Sequence, residues 1–118
     1  MEKEKLAMFK KAHRAAKRRA LKKSLLFKIT IDDIVSQFYT QDKRCFYSGL
    51  QMNIIKSSKN GLLHDPFKMT IDCKNHLVGY TKENIVWCLY CVNSLKQRMS
   101  EEEIIDICKA VVIHNEKN

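Results

Sequence analysis

The sequence predicts an α+β fold, with one domain carrying a basic N-terminal helical arm. Three observations predict it. The 118 residues suffice for one compact domain and little more. Apolar residues recur at three- and four-residue spacing in several stretches, yet alternate with polar ones near residue 70. Gly and Pro number only 3 and 1, which disfavours many-turned sandwiches, linkers and collagen-like chains. No apolar run approaches the roughly 18 residues needed to span a bilayer, so no membrane partner is expected. The charged opening Met1–Lys5 is followed by no apolar segment, so no secretory leader is expected. Five Cys without such a leader suit an intracellular, reducing compartment, nuclear and virus- or phage-encoded settings included.

Residues 5–23 read as a helix rich in Ala and Lys, with a thin stripe of Leu6, Phe9, His13, Ala16 and Ala20. The thinness suggests a helix that orders fully only against a partner. Leu25–Ile29 is a short apolar run that anchors the arm to the body, setting a boundary at residue 28. Thr30 is a good N-cap, and Ile31, Ile34, Val35, Phe38 and Tyr39 form one face of the helix it opens. Arg44–Leu50 reads as a turn leading into an extended stretch to Ile55, and 57–61 as a polar turn. Phe67, Met69 and Ile71 alternate with Lys68, Thr70 and Asp72, the pattern of a half-buried strand ending in a carboxylate. Ile85–Trp87 is a second strand, and a helix is expected from Leu89 to Met99. Ser100 with Glu103 is a capping box for a last helix, whose buried face would be Ile104, Ile107, Cys108, Val111 and Val112.

Charge is the first functional signal. The net charge is +9, from 22 basic and 13 acidic residues. Residues 1–28 hold 11 of the Lys and Arg with two acids, and the rest of the chain is balanced. A basic arm on a neutral body suits a polyanion, most simply nucleic acid. Arg14, Lys17, Arg18, Arg19, Lys22 and Lys23 are the expected contacts. A solvated helix face and a nuclear-import signal around Lys17–Arg19 are the competing readings.

The most informative stretch is Thr70-Ile71-Asp72-Cys73, then Gly79-Tyr80 through Asn84-Ile85-Val86-Trp87, then Asn93-Ser94-Leu95-Lys96. Upstream stands Cys45-Phe46-Tyr47-Ser48-Gly49-Leu50. This order resembles the HNH endonucleases, a family with a ββα-metal core, and in particular its small phage and large-virus members. The likeness covers about residues 25–108. It implies a hairpin–helix core over 29–118 with flanking helices. It further implies a divalent ion such as Mg2+ held by Asp72 and Asn93, with Asn84 fixing the loop that orients the catalytic group. Lys96, one helical turn after Asn93, would touch phosphate, as would Arg98. The implied activity is phosphodiester hydrolysis in DNA. That chemistry needs a cation for the charge that builds on phosphate and leaving oxygen, and a group that activates water.

The residue after the strand-end Asp is His or Arg in that family, but here it is Cys73, a poor base. His76, four residues beyond Asp72, is the favoured substitute, with His64 and metal-activated water as alternatives. Two rival functions follow. One is a non-catalytic nucleic-acid-binding protein on a degenerate HNH scaffold. The other is a Cys-dependent hydrolase using Cys73 and His76. The spacing Cys88-Leu89-Tyr90-Cys91 beside Cys45 raises structural Zn2+, but ordinary buried thiols are the expectation. Trp87, Tyr90 and Phe46 are expected in the core. DNA against RNA, and the oligomeric state, stay open at this level.

Overall fold

A computed structural model describes residues 2–53 and 65–116. Four helices and two strands follow one another: α1 Lys3–Lys22, α2 Ile31–Thr40, β1 Met69–Cys73, β2 Ile85–Leu89, α3 Tyr90–Lys96 and α4 Glu101–Asn115. The fold is α+β. The stretch beyond Asn53, the turn over 57–61 and His64 lie outside the described residues.

The expected caps form. The Thr30 hydroxyl accepts from Asp33 N at 3.1 Å while the Asp33 carboxylate accepts from Thr30 N at 2.9 Å. Ser100 and Glu103 repeat this arrangement at the start of α4. Each box satisfies two backbone donors that the first turn leaves without helical partners. Along α2, Ile34 and Phe38 are buried, but Tyr39 at the edge of the predicted face is exposed.

Strands β1 and β2 pair antiparallel, with Asp72 opposite Val86 and Ile71 opposite Trp87. The predicted half-buried strand is corrected. Thr70 to Cys73 are all buried, and Phe67 is exposed and precedes the strand. The reason is that β1 is covered twice, as both α1 and α3 pack against it. The outer edge of β2 is closed by side chain and loop. Trp87 N donates to Gln41 Oε1, and Trp87 O accepts from Gln41 Nε2 and from Phe46 N. An edge so paired offers no template to another strand.

The core centres on Trp87. Its indole donates to Ile34 O at 2.7 Å, and Phe9 and Phe38 meet it edge-on. Phe9 lies on α1, as do the buried Ala16 and Ala20. The basic helix therefore finds its packing partner in the body of the same chain, and residue 28 divides charge rather than packing. His13 Nε2 lies 2.8 Å from Ile29 O and fastens the helix further. Of the anchor run, Ile29 is buried while Leu26 is exposed.

Three other expectations are corrected. Helix α3 stops at Lys96 rather than Met99, because Gln97 takes a positive φ of 44° and turns the chain toward α4. Phe46 is not a core residue: it is exposed and stacks edge-on against Tyr47. On α4 only Ile104 is buried, and Ile107, Cys108, Val111 and Val112 are exposed. They lie open because, among the described elements, α4 packs only against short α3. No described helix is long and apolar enough to cross a membrane.

Candidate functional site

Asp72 stands one residue before the end of β1, on the face opposite Ile71 and Cys73, as strand alternation requires. Its Oδ2 accepts from the Tyr47 hydroxyl at 2.6 Å and lies 3.2 Å from the Lys96 ammonium. Lys96 is 1% exposed and also donates to Cys73 O at 3.4 Å. Its ammonium lies 5.7 Å from the Tyr47 ring centroid. Burying two opposite charges together is tolerable because each neutralises the other and both are hydrogen-bonded. Burial, and then the bond to Asp72, push the Tyr47 hydroxyl well above its ordinary range, so it stays protonated and acts as donor. Lys96 therefore faces the carboxylate in the interior, which corrects its expected place at the phosphate. Arg98, past the end of α3, is exposed.

Asn84 is buried at the end of the loop that precedes β2. Its amide donates to Asn75 O and Gly79 O, both at 2.8 Å, and its carbonyl accepts from Asn75 N at 3.1 Å. One buried side chain thereby pins both ends of the loop 75–79 that carries His76. Gly79 is required for this closure. Its φ is +87°, and a Cβ there would meet Leu26 O at 2.8 Å. The partly buried His76 ring has no hydrogen-bond partner among the described residues.

Asn93 sits on the second turn of α3 and is partly exposed, its side chain unbonded among the described residues. Its amide oxygen and the Asp72 carboxylate are hard donors of the kind Mg2+ takes. Oδ2 of Asp72 is already engaged, but its side chain remains about 10% exposed, and no described residue bonds Oδ1. The pair therefore fits a divalent ion in donor type and access. The five thiols are free. Cys45 Sγ accepts from Leu89 N at 3.4 Å, and Cys88 is buried, its thiol pushed up by burial. Cys108 lies apart on α4. Among the described residues no three His, Cys, Asp or Glu gather into a metal-holding group.

Cys73 is buried, and burial is the main reason its thiol is pushed up to about 11. The Asp72 charge adds to this, against Arg19 and Lys96. A thiol held that high supplies neither a base nor a thiolate nucleophile near neutral pH, which argues against the Cys-dependent reading.

On α1, at about 100° per residue, Lys11, Arg14, Arg18 and Lys22 fall opposite Phe9, Ala16 and Ala20, with Lys10 and Lys17 at the flank, and all six are exposed. Lys23, just past the helix, is also exposed. Arg19 is different. It donates to Ile71 O at 3.0 Å and to the Tyr80 hydroxyl at 3.4 Å, so it staples α1 to β1. Burial, and then the charges of Lys11 and Arg19, pull the Lys68 ammonium down. The α1 charge thus reaches the start of β1.

Sequence reasoning missed Tyr47, Arg19 and Gln41 as positioning residues. The signal for Tyr47 stood in the Cys45–Leu50 motif, whose tyrosine had no stated role. Compared with protein-family models, curated proteins and solved structures, the chain matches none.

Proposed function

We propose that the chain is a metal-dependent endonuclease of the HNH type, hydrolysing phosphodiester bonds in DNA. One observation carries the reading. The Asp72 carboxylate lies at the end of a β-hairpin, against the helix that follows, with the intervening loop pinned by Asn84. Asp72 and Asn93 would hold Mg2+ or a similar ion, which stabilises charge on the phosphate and on the leaving oxygen. Lys96 and Tyr47 fix Oδ2 and so set how the carboxylate is turned. Asn84 holds the loop so that a nitrogen of His76 takes the proton of the attacking water. A bond forms from that water oxygen to phosphorus as the bond to the leaving oxygen breaks. The exposed ridge of α1 binds the backbone through charge, without reading bases.

A non-catalytic nucleic-acid-binding protein is the second reading. The Lys96–Asp72 pair favours it, because an ammonium already compensates the carboxylate. A plasmid-nicking assay separates the two. The nuclease reading predicts conversion of supercoiled DNA in Mg2+ and none in EDTA. Binding with no cleavage under either condition would leave the second.

A further inference from the structure

Phe46 is an aromatic ring held at the surface. Its side chain is 39% exposed, yet its backbone is fixed. Phe46 N donates to Trp87 O at 3.0 Å, Cys45 N to Leu50 O at 2.8 Å and Gly49 N to Cys45 O at 2.9 Å, so the turn that carries the ring is closed on itself and tied to β2. The ring meets Tyr47 edge-on, with centres 5.2 Å apart and planes at 89°. The Tyr47 hydroxyl in turn donates to Asp72 Oδ2, so one tyrosine side chain separates the exposed ring from the carboxylate. From the end of β1, Lys74 reaches the same ring. Its backbone N donates to Asn84 O at 2.8 Å, and its ammonium stands over the Phe46 ring, 5.9 Å from the centroid. Lys74 is itself exposed, and an exposed ammonium resting over a ring marks a face that solvent can reach.

We infer that Phe46 is a stacking platform for an unpaired nucleobase, with Lys74 taking a neighbouring phosphate. Every base has a π-face, so an aromatic ring binds any of them, and a cation beside it serves the backbone. In a duplex both faces of each base are covered by its neighbours, so only a base out of the stack reaches the ring. Lys74 moves from the ring to the phosphate as the base takes its place. A phosphate held at Asp72 has the base of its adjoining nucleotide within reach of a ring one side chain away. The favoured substrate is therefore DNA that is unpaired beside the scissile phosphate: a single strand, a bubble or a flap. That placement rests on the nuclease reading, whereas the stacking contact does not.

The test is binding by the full chain in EDTA, read by fluorescence anisotropy, so that it does not depend on cleavage. The probes are an oligothymidylate of about 12 nucleotides, within the span of single-strand sites, and a blunt duplex of the same length. Phe46→Ala should weaken oligothymidylate binding about tenfold and leave duplex binding within about twofold of wild type. Phe46→Trp should keep wild-type affinity, and Phe46→Leu, apolar but without a π-face, should behave as Phe46→Ala. Thermal unfolding checks that each variant is folded. A second measurement places 2-aminopurine in the oligonucleotide: wild type changes its fluorescence by stacking, and Phe46→Leu does not. Wild-type affinity of Phe46→Ala for oligothymidylate overturns the inference. So does an equal loss on the duplex, or a Phe46→Leu variant that binds as wild type. A chain that shows the Phe46 dependence but cuts no DNA in Mg2+ keeps the stacking site and loses the nuclease reading alone.

Discussion

The two terminal helices make opposite use of their side chains. α1 carries nine Lys and Arg in twenty residues, yet Phe9, Ala16 and Ala20 sink it into the core. α4 has eight apolar residues in fifteen and buries one. Burial follows from the surface a helix meets, and not from how apolar it is. Ala16 and Ala20, one turn apart, let the backbone of α1 lie close to the body, and Phe9 fills the space beside Trp87 and Phe38. Among the described elements α4 meets only α3, seven residues long, which is too short to cover its stripe.

The largest effects should fall at charges and rings inside the fold. Asp72→Ala leaves the Lys96 ammonium buried without its partner, and should cost about 3–5 kcal/mol in chemical denaturation. Asp72→Asn with Lys96→Met removes both charges and should recover much of that loss. Equal stability of Asp72→Ala and wild type would show that the pair is not the brace it looks to be. Phe9→Ala should cost about 3–5 kcal/mol, whereas Val112→Ser should stay within about 0.5 kcal/mol. Similar losses at the two sites would dissolve the contrast between the helices.

The same contrast can be sharpened within α1. Changing Arg14, Lys17, Arg18 and Lys22 to Gln should flatten the salt dependence of DNA binding by about 0.9 in slope per lost phosphate contact. Arg19→Gln should lower stability and leave the slope alone, because its guanidinium is spent on Ile71 O and Tyr80. Equal slopes for the fourfold variant and wild type would move the DNA surface away from α1.

The smallest effect is an alkaline limit. Burial raises Cys73 from 9.0 to about 11, and raises Tyr47, Tyr80 and Cys88 as well. The folded chain keeps protons that the unfolded chain releases, so this stability is fully present below about pH 9 and declines as pH rises through 11. Denaturation midpoints measured from pH 8 to 11 should fall, and less steeply in Cys73→Ala.

What was legible in the sequence was local. Thr30 with Asp33 and Ser100 with Glu103 each close a bond over three residues, so their residue types suffice to place two helix starts. The strand ending near Asp72, the loop asparagine Asn84 and the helix bearing Asn93 follow in short order along the chain. What stayed hidden spans distance. Tyr47 reaches Asp72 across 25 residues, Gln41 reaches Trp87 across 46 and Arg19 reaches Ile71 across 52. No periodicity reports such pairs. Lys96 was misplaced for the same reason: its spacing from Asn93 is plain, but the carboxylate that draws it inward lies on another element. The stripe on α4 was legible as apolar and illegible as exposed, because the pattern tells that a face wants cover and not what supplies it.

The central claim is that Asp72 and Asn93 share a divalent ion that serves phosphodiester hydrolysis. Asn93→Ala tests it most directly, since this partly exposed side chain has no hydrogen bond to lose among the described residues. Plasmid cleavage in Mg2+ is measured beside DNA affinity and thermal unfolding. The account predicts wild-type folding, wild-type affinity and loss of cleavage. Cleavage by Asn93→Ala at the wild-type rate would contradict it.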